Sequence, residues 1–156
     1  MTPGRPGIPD ALTGWSIRIA TGADVSAVLE LWRAAGSVAT PSDNHDALLT
    51  LLAHDPEALL VAEAGGAIVG SLIAAWDGWR GSFHRLAVSR DHRRRGLATE
   101  LVRIGEERLR QHGAIRLTAI VARDEPIAFG LWEELGYVWQ PDHLRFTRDL
   151  GESPVP

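Results

Sequence analysis

The residues best equipped for chemistry lie between Phe83 and Leu101, in the stretch FHRLAVSRDHRRRGLATEL. It reads as a strand from Phe83 to Val88, a basic loop centred on Arg93, Arg94, Arg95 and Gly96, and a helix that begins near Leu97. A strand running through a glycine-containing loop into a helix leaves the first backbone N–H groups of that helix unpaired, and the helix dipole adds partial positive charge at the same spot. Such an end binds anions. Three arginines beside it suit phosphate, because a guanidinium presents two parallel donors to two oxygens. On the strand itself His84 offers an imidazole, the side chain that titrates nearest neutral pH and serves most often as a general base.

Spacing excludes the commoner phosphate loops. The loop of nucleotide triphosphatases needs G-x-x-x-x-G-K-[ST], and no lysine occurs in this stretch. A dinucleotide fingerprint needs G-x-G-x-x-G after a strand, and only Gly96 is present. What remains is Arg93-x-x-Gly96-x-Ala98, directly after a strand ending Leu86-Ala87-Val88. Against a ligand site stands the plainer reading of the arginines as a solvated face, so the rest of the chain has to decide.

The elements that would position this stretch follow from hydrophobic periodicity. Trp15, Ile17 and Ile19 alternate with polar residues as a half-buried strand. Thr21 is placed to cap a helix carrying Val25, Val28, Leu29, Trp32 and Ala35, which stops at Gly36. After a polar loop, Ser37 to Asn44, Ser42 is placed to cap a second helix with Ala47, Leu48, Leu51 and Leu52, ended by Asp55-Pro56. Leu59 to Ala64 and Ala67 to Trp76 read as strands joined by a hairpin at Gly65-Gly66, and Asp77-Gly78 turns the chain into the strand before the basic loop. The helix from Leu97 ends at His112-Gly113, and Ile115 to Val121 reads as a strand reached by a right-handed parallel crossover. Asp124 is placed to cap a last helix with Ala128, Leu131, Trp132 and Leu135. Tyr137 to Trp139 and Leu144 to Leu150 close the chain as a hairpin. The order is β-α-α-β-β-β-α-β-α-β-β, an α+β architecture with helices on both faces of one mixed, mostly antiparallel sheet of about seven strands.

Composition bounds the function. At 156 residues the chain fits one domain, expected at residues 14–150, between tails at 1–13 and 151–156 that are rich in proline and glycine. No cysteine is present, which removes disulfides, thiolate metal sites and cysteine nucleophiles and suits a reducing cytoplasm; no metal is expected. A formal net charge of −4 supplies no global field for nucleic acid, so no nucleic-acid partner is expected. No apolar run approaches the ~20 residues of a membrane span, and no membrane partner is expected either. Monomer and homodimer both remain open.

Taken together, the motifs resemble the GNAT superfamily of acetyl-CoA-dependent N-acetyltransferases. Arg93-x-x-Gly96-x-Ala98 resembles its pyrophosphate motif. Ile17-Arg18-Ile19-Ala20-Thr21 with Asp24 resembles its opening, and Ala62-Glu63 through Ile68-Val69-Gly70 its second hairpin. Ala128-x-x-Leu131-Trp132-Glu133-x-Leu135-Gly136-Tyr137 resembles its last motif, and the likeness spans about residues 15 to 150. It implies transfer of an acetyl group from acetyl-CoA to an amine, which is a small molecule, an amino acid or a protein N-terminus. The other reading is an acyl-CoA-binding domain without catalysis.

The resemblance also implies roles. Arg93, Arg94, Arg95, Gly96, Leu97, Ala98 and Thr99 would surround the pyrophosphate, largely through backbone N–H groups. Leu86, Ala87 and Val88 would pair with the pantetheine arm as a strand does, and the Val88 N–H would face the thioester carbonyl. His84 occupies a position where serotonin N-acetyltransferases carry a histidine of the proton path. Plain strand parity would put it on the same face as Leu86 and Val88. A structural histidine, a carboxylate or a water chain are the alternatives. Trp132 stands where the family often has a tyrosine acid; indole contacts or packs but donates no proton near neutrality. Glu125 stands where an asparagine is common. The acceptor cleft is expected between Ser37 to Asn44 and Trp76 to Arg80.

Overall fold

The computed structural model of the chain describes residues 13–151, so the tails expected from composition lie almost wholly outside the described residues. Strand β1 (Ser16–Ile19) leads through a short 3-10 turn into helix α1 (Val25–Ala34), and a loop then reaches α2 (His45–His54). Strands β2 (Leu59–Ala64), β3 (Ala67–Trp76) and β4 (Gly81–Val88) follow, then α3 (Leu97–His112), β5 (Leu117–Ala119) and α4 (Pro126–Glu134). The sheet order is β1-β2-β3-β4-β5; the first four strands pair antiparallel, and β4 pairs β5 parallel across the α3 crossover. No helix among the described residues is long and apolar enough to cross a membrane.

The central strand β3 is an almost unbroken apolar run because both its faces are covered. On one face the stripe of α3, with Leu97, Leu101, Val102 and Leu109, packs with Trp132 of α4 onto Leu72, Ala74 and Phe83. On the other, Val25, Val28, Leu31 and Trp32 of α1 and Leu48 of α2 cover Leu59, Val61, Ile73 and Ala87. Helix α3 approaches the sheet closely at Gly105. A Cβ there would lie 2.8 Å from the Phe83 ring, so only glycine fits without displacing that ring.

Several expectations change. Among the described residues the sheet has five strands rather than about seven, because 137–139 and 144–150 form no strand. Apart from the half-buried Tyr137, their apolar side chains, Val138, Trp139, Leu144, Phe146 and Leu150, are 63 to 92% exposed, so little burial offsets the entropy of ordering them. Strand β5, only three residues long, offers them a short edge. The caps also move. Helix α2 is capped by Asn44, whose side chain accepts from the Ala47 N–H at 2.9 Å, not by Ser42. Thr21 caps the 3-10 turn, leaving Asp24 at the cap of α1. Helix α4 starts behind Glu125 with Pro126 in its first turn, so Asp124 caps nothing.

Candidate active site

The site begins with a mismatch of strand lengths. Strand β4 pairs β5 only at Gly81 with Leu117, Ser82 with Thr118 and Phe83 with Ala119, so His84 to Val88 continue with β5 already ended. On its other edge β4 stays paired to β3 as far as Gly70 with Val88, and the Ser89 N–H then donates to the Val69 carbonyl at 2.8 Å. By the alternation of an antiparallel ladder, the Val88 N–H and C=O therefore point to the open edge. That carbonyl accepts from Arg93 Nε at 3.2 Å, while the N–H faces the gap. Among the described residues this edge of β4 therefore has no strand partner from His84 to Val88, and it forms a slot bordered by main-chain groups that leads to the basic loop.

A bulge in β4 decides which side chains line it. The register passes from Ser71 with Ala87 to Ile73 with His84, so Arg85 and Leu86 together stand opposite Leu72. Arg85 adopts φ 55°, an uncommon left-handed conformation for a residue with a Cβ. The extra residue flips the parity. His84 shares the α1/α2 face with its partner Ile73, whereas Leu86 and Val88 pack against the α3 side. The expectation that His84 shares a face with Leu86 and Val88 is thus overturned, because simple alternation holds only in an unbulged strand.

His84 Nε2 lies 3.0 Å from the Ser82 hydroxyl on the same face. The residue reaches solvent, yet its ring is enclosed enough that loss of hydration is the largest influence on it. With the nearby positive charges of Arg145 and Arg85, this holds its pKa below the usual imidazole value. A lowered pKa favours the neutral imidazole, the form a base needs.

Past Ser89 the chain makes a 3-10 turn, Arg90–His92, and reaches the basic loop. Arg94 and Gly96 take left-handed backbone, φ 61° and 88°, and Gly96 is the N-cap of α3 with no side chain capping the helix. The first-turn N–H groups of Leu97, Ala98 and Thr99 are thus offered to an external acceptor, and the dipole of a 16-residue helix lies behind them. A Cβ at Gly96 would meet nothing within 4 Å among the described residues. These features fit a diphosphate. Arg93, Arg94, Arg95 and Gly96 are exposed, whereas the Leu97 side chain is core and leaves only its backbone for a ligand. Arg95 sits 5.7 Å from the Trp15 ring, and Trp15 Nε1 donates to Glu100 at 2.8 Å, which ties the helix start to β1.

Trp132 is 8% exposed, with Phe83 at 5.6 Å and Tyr137 at 4.9 Å between ring centroids. The Tyr137 hydroxyl donates to Glu106 at 2.7 Å, and burial followed by that carboxylate pushes its pKa well above the usual phenol value. It is a packing residue, as its place past the helix suggests. Of the expected acceptor walls, the 37–44 loop is brought to β4 through Arg85. Trp76 instead stacks on His112 of α3 at 5.8 Å, and the Asp77 Oδ1 accepts from the N–H groups of Trp79 and Arg80, which holds the Asp77 pKa below the usual carboxylate range. Arg85 and Ser82 are the site residues that sequence reasoning missed. Ser82 was visible as the i−2 neighbour of His84; nothing local announces a bulge.

The description "Acetyltransferase (GNAT) family" belongs to the family model that matches residues 25–137. An acetyltransferase of Yersinia enterocolitica is 37% identical over 124 residues, covering 80% of this chain and 88% of the relative. The chain also superimposes on Ard1 of Thermoplasma volcanium with a TM-score of 0.72 at 19% identity, covering 80% of this chain and 83% of that one. A PaiA N-acetyltransferase of Thermoplasma acidophilum, solved with coenzyme A, gives 0.67 at 14% identity, covering 78% and 87%. At these identities the structural likeness is one of fold.

Proposed function

Because the chain belongs to the acetyltransferase (GNAT) family, we propose that it is an acetyl-CoA-dependent N-acetyltransferase acting by direct attack in a ternary complex. The reading rests on β4, which among the described residues leaves one edge of His84 to Val88 without a strand partner and leads through the basic loop to the start of α3, which no side chain caps. The pantetheine arm would lie along that edge as a strand, with its diphosphate at Gly96 to Thr99. Leu86 and Val88 supply the apolar side of the slot, Val88 its outward main-chain N–H, and Trp132 the packed wall beneath Phe83. Ala87, expected to share in this pairing, turns its main chain to Ser71 of β3 and backs the slot instead.

In the reaction the amine nitrogen attacks the thioester carbonyl carbon, and negative charge gathers on the oxygen facing the Val88 N–H. The C–S bond then breaks and CoA departs as thiolate, acceptable for a thiol of pKa about 8.5. The proton shed by nitrogen passes to neutral His84, directly or through water, and onward to solvent. Arg93 holds the neighbouring Val88 carbonyl and so fixes the peptide that carries the donor side of the slot.

Calorimetry with CoA and thiol release from acetyl-CoA over kanamycin, spermidine and an alanine-initiated peptide test this reading. Absence of CoA binding would sink it. Binding without thiol release from any acceptor would favour a non-catalytic acyl-CoA module, the reading to which Trp132, a residue with no acidic proton, lends some weight.

A further inference from the structure

The loop between α1 and α2 is almost wholly exposed, and Val38, its largest apolar residue, is 84% exposed. Apolar burial does not hold it in place. One side chain from β4 does. Arg85 Nε donates to Asp43 Oδ1 at 3.0 Å, its Nη2 reaches Asp43 Oδ2 and, at 3.1 Å, the Val38 carbonyl. Asp43 in turn accepts from the Thr40 N–H at 2.7 Å, so the carboxylate organises the loop while Arg85 holds the carboxylate.

The root of this clamp is equally fixed. The Arg85 carbonyl accepts from the wholly buried Ser71 hydroxyl at 3.0 Å, and that hydroxyl accepts from Trp32 Nε1 at 2.8 Å. The Arg85 guanidinium lies 5.4 Å from the Trp32 ring centre. A left-handed arginine is uncommon, and it persists where surrounding contacts over-determine it. Here they hold it from both ends, and the loop it grips flanks the face on which His84 stands.

We propose that Arg85 is the positioning residue of the acceptor site: from the β4 bulge it clamps the α1–α2 loop as the wall against which the acceptor amine is held. This rests on the reading of β4 as the acetyl-transfer strand. A single residue then shapes the donor edge with its backbone and the acceptor wall with its side chain. Acceptor affinity is set by the clamp, whereas CoA affinity is not.

The test uses the full chain and Arg85→Asn, because asparagine tolerates left-handed backbone and preserves the bulge while removing the guanidinium. Asp43→Asn, which leaves β4 untouched, breaks the same clamp from the loop side. Hydrogen exchange of amides 36–44 is expected to quicken about tenfold or more in both variants, with 84–88 unchanged. CoA affinity by calorimetry should stay within about twofold, while KM for whichever of kanamycin, spermidine or the alanine-initiated peptide turns over should rise about tenfold, more than kcat falls. Arg85→Lys, with a point charge in place of the fork, should recover only part of the loss. Unchanged loop exchange in both variants overturns the clamp. Faster exchange with an unaltered KM overturns its role toward the acceptor. Failure of the parent to bind CoA instead sinks the acetyl-transfer reading and leaves the exchange result to judge the clamp alone.

Discussion

The imidazole of His84 and the hydroxyl of Ser82 face each other at 3.0 Å on the α1/α2 side of β4. The hydroxyl can donate to Nε2 or accept from Nε2–H, so the contact orients the ring in either tautomer and leaves Nδ1 on its far side. The pKa of His84 is lowered, and activity that needs the neutral ring is therefore present above that value and lost as pH falls through it. A profile of kcat/KM should show a limb below pH ~6.5, the ordinary imidazole value, under any separate rise from deprotonation of the free amine. His84→Ala should erase that limb and cost about 10²-fold. Equal profiles for parent and variant would return His84 to a structural role.

Gly96→Val should weaken CoA binding by about tenfold or more. No atom of the described residues lies within 4 Å of the added Cβ, so the cost is not a clash with them. It comes from a β-branched residue at φ 88°, about 1 to 3 kcal/mol of strain, and from a side chain placed where the diphosphate would approach. Gly96→Asn, which tolerates that backbone, serves as the control for strain. If the valine variant holds CoA as tightly as the parent by calorimetry, the anion site lies elsewhere.

Trp132→Phe should lower stability by about 1 to 2 kcal/mol, because the indole fills space between Phe83 and Tyr137. Its effect on kcat at saturating acetyl-CoA should fall far short of the ~10²-fold loss that follows removal of a general acid. Urea unfolding and steady-state rates on the same preparation separate the two. A collapse of kcat with CoA affinity intact would show the indole acting in the reaction.

At the other end of the sheet Arg18 donates to Asp24 at 2.7 and 2.8 Å and to Glu63 at 3.3 Å. The hydrogen bonds from Arg18, working against burial, hold the Asp24 carboxyl below the usual range, with the Thr21 N–H adding to them. A depressed carboxylate contributes stability that is present above its unfolded value of ~3.9 and lost as pH falls through the folded one. Asp24→Asn should cost about 2 kcal/mol at pH 7 and flatten the loss of stability below pH ~4. Parallel acid unfolding of parent and variant would remove Asp24 from that account.

What the sequence determined by itself is what local physics controls. The turn from β4 through Gly96 into α3 needs only a strand, a glycine able to take positive φ and an apolar helical stripe, all contiguous between Phe83 and His112. The order of elements from Trp15 to Leu135 and the apolar faces of α1 and α3 follow from the same short-range periodicity. Tertiary structure decided the rest. The bulge at Arg85 arises where β4 registers against β3 and α1 presses Trp32 onto Ser71, contacts 14 and 39 residues apart that no local pattern encodes. That register sent His84 to the face opposite Leu86 and Val88. Segments 137–139 and 144–150 carry the aromatic and branched residues that favour strands, but a strand needs a partner edge and a surface to bury, and β5 ends at Ala119. Register, splay and the grip of Arg85 on Asp43 are properties of surfaces meeting across the fold, and so only the folded chain could assemble them.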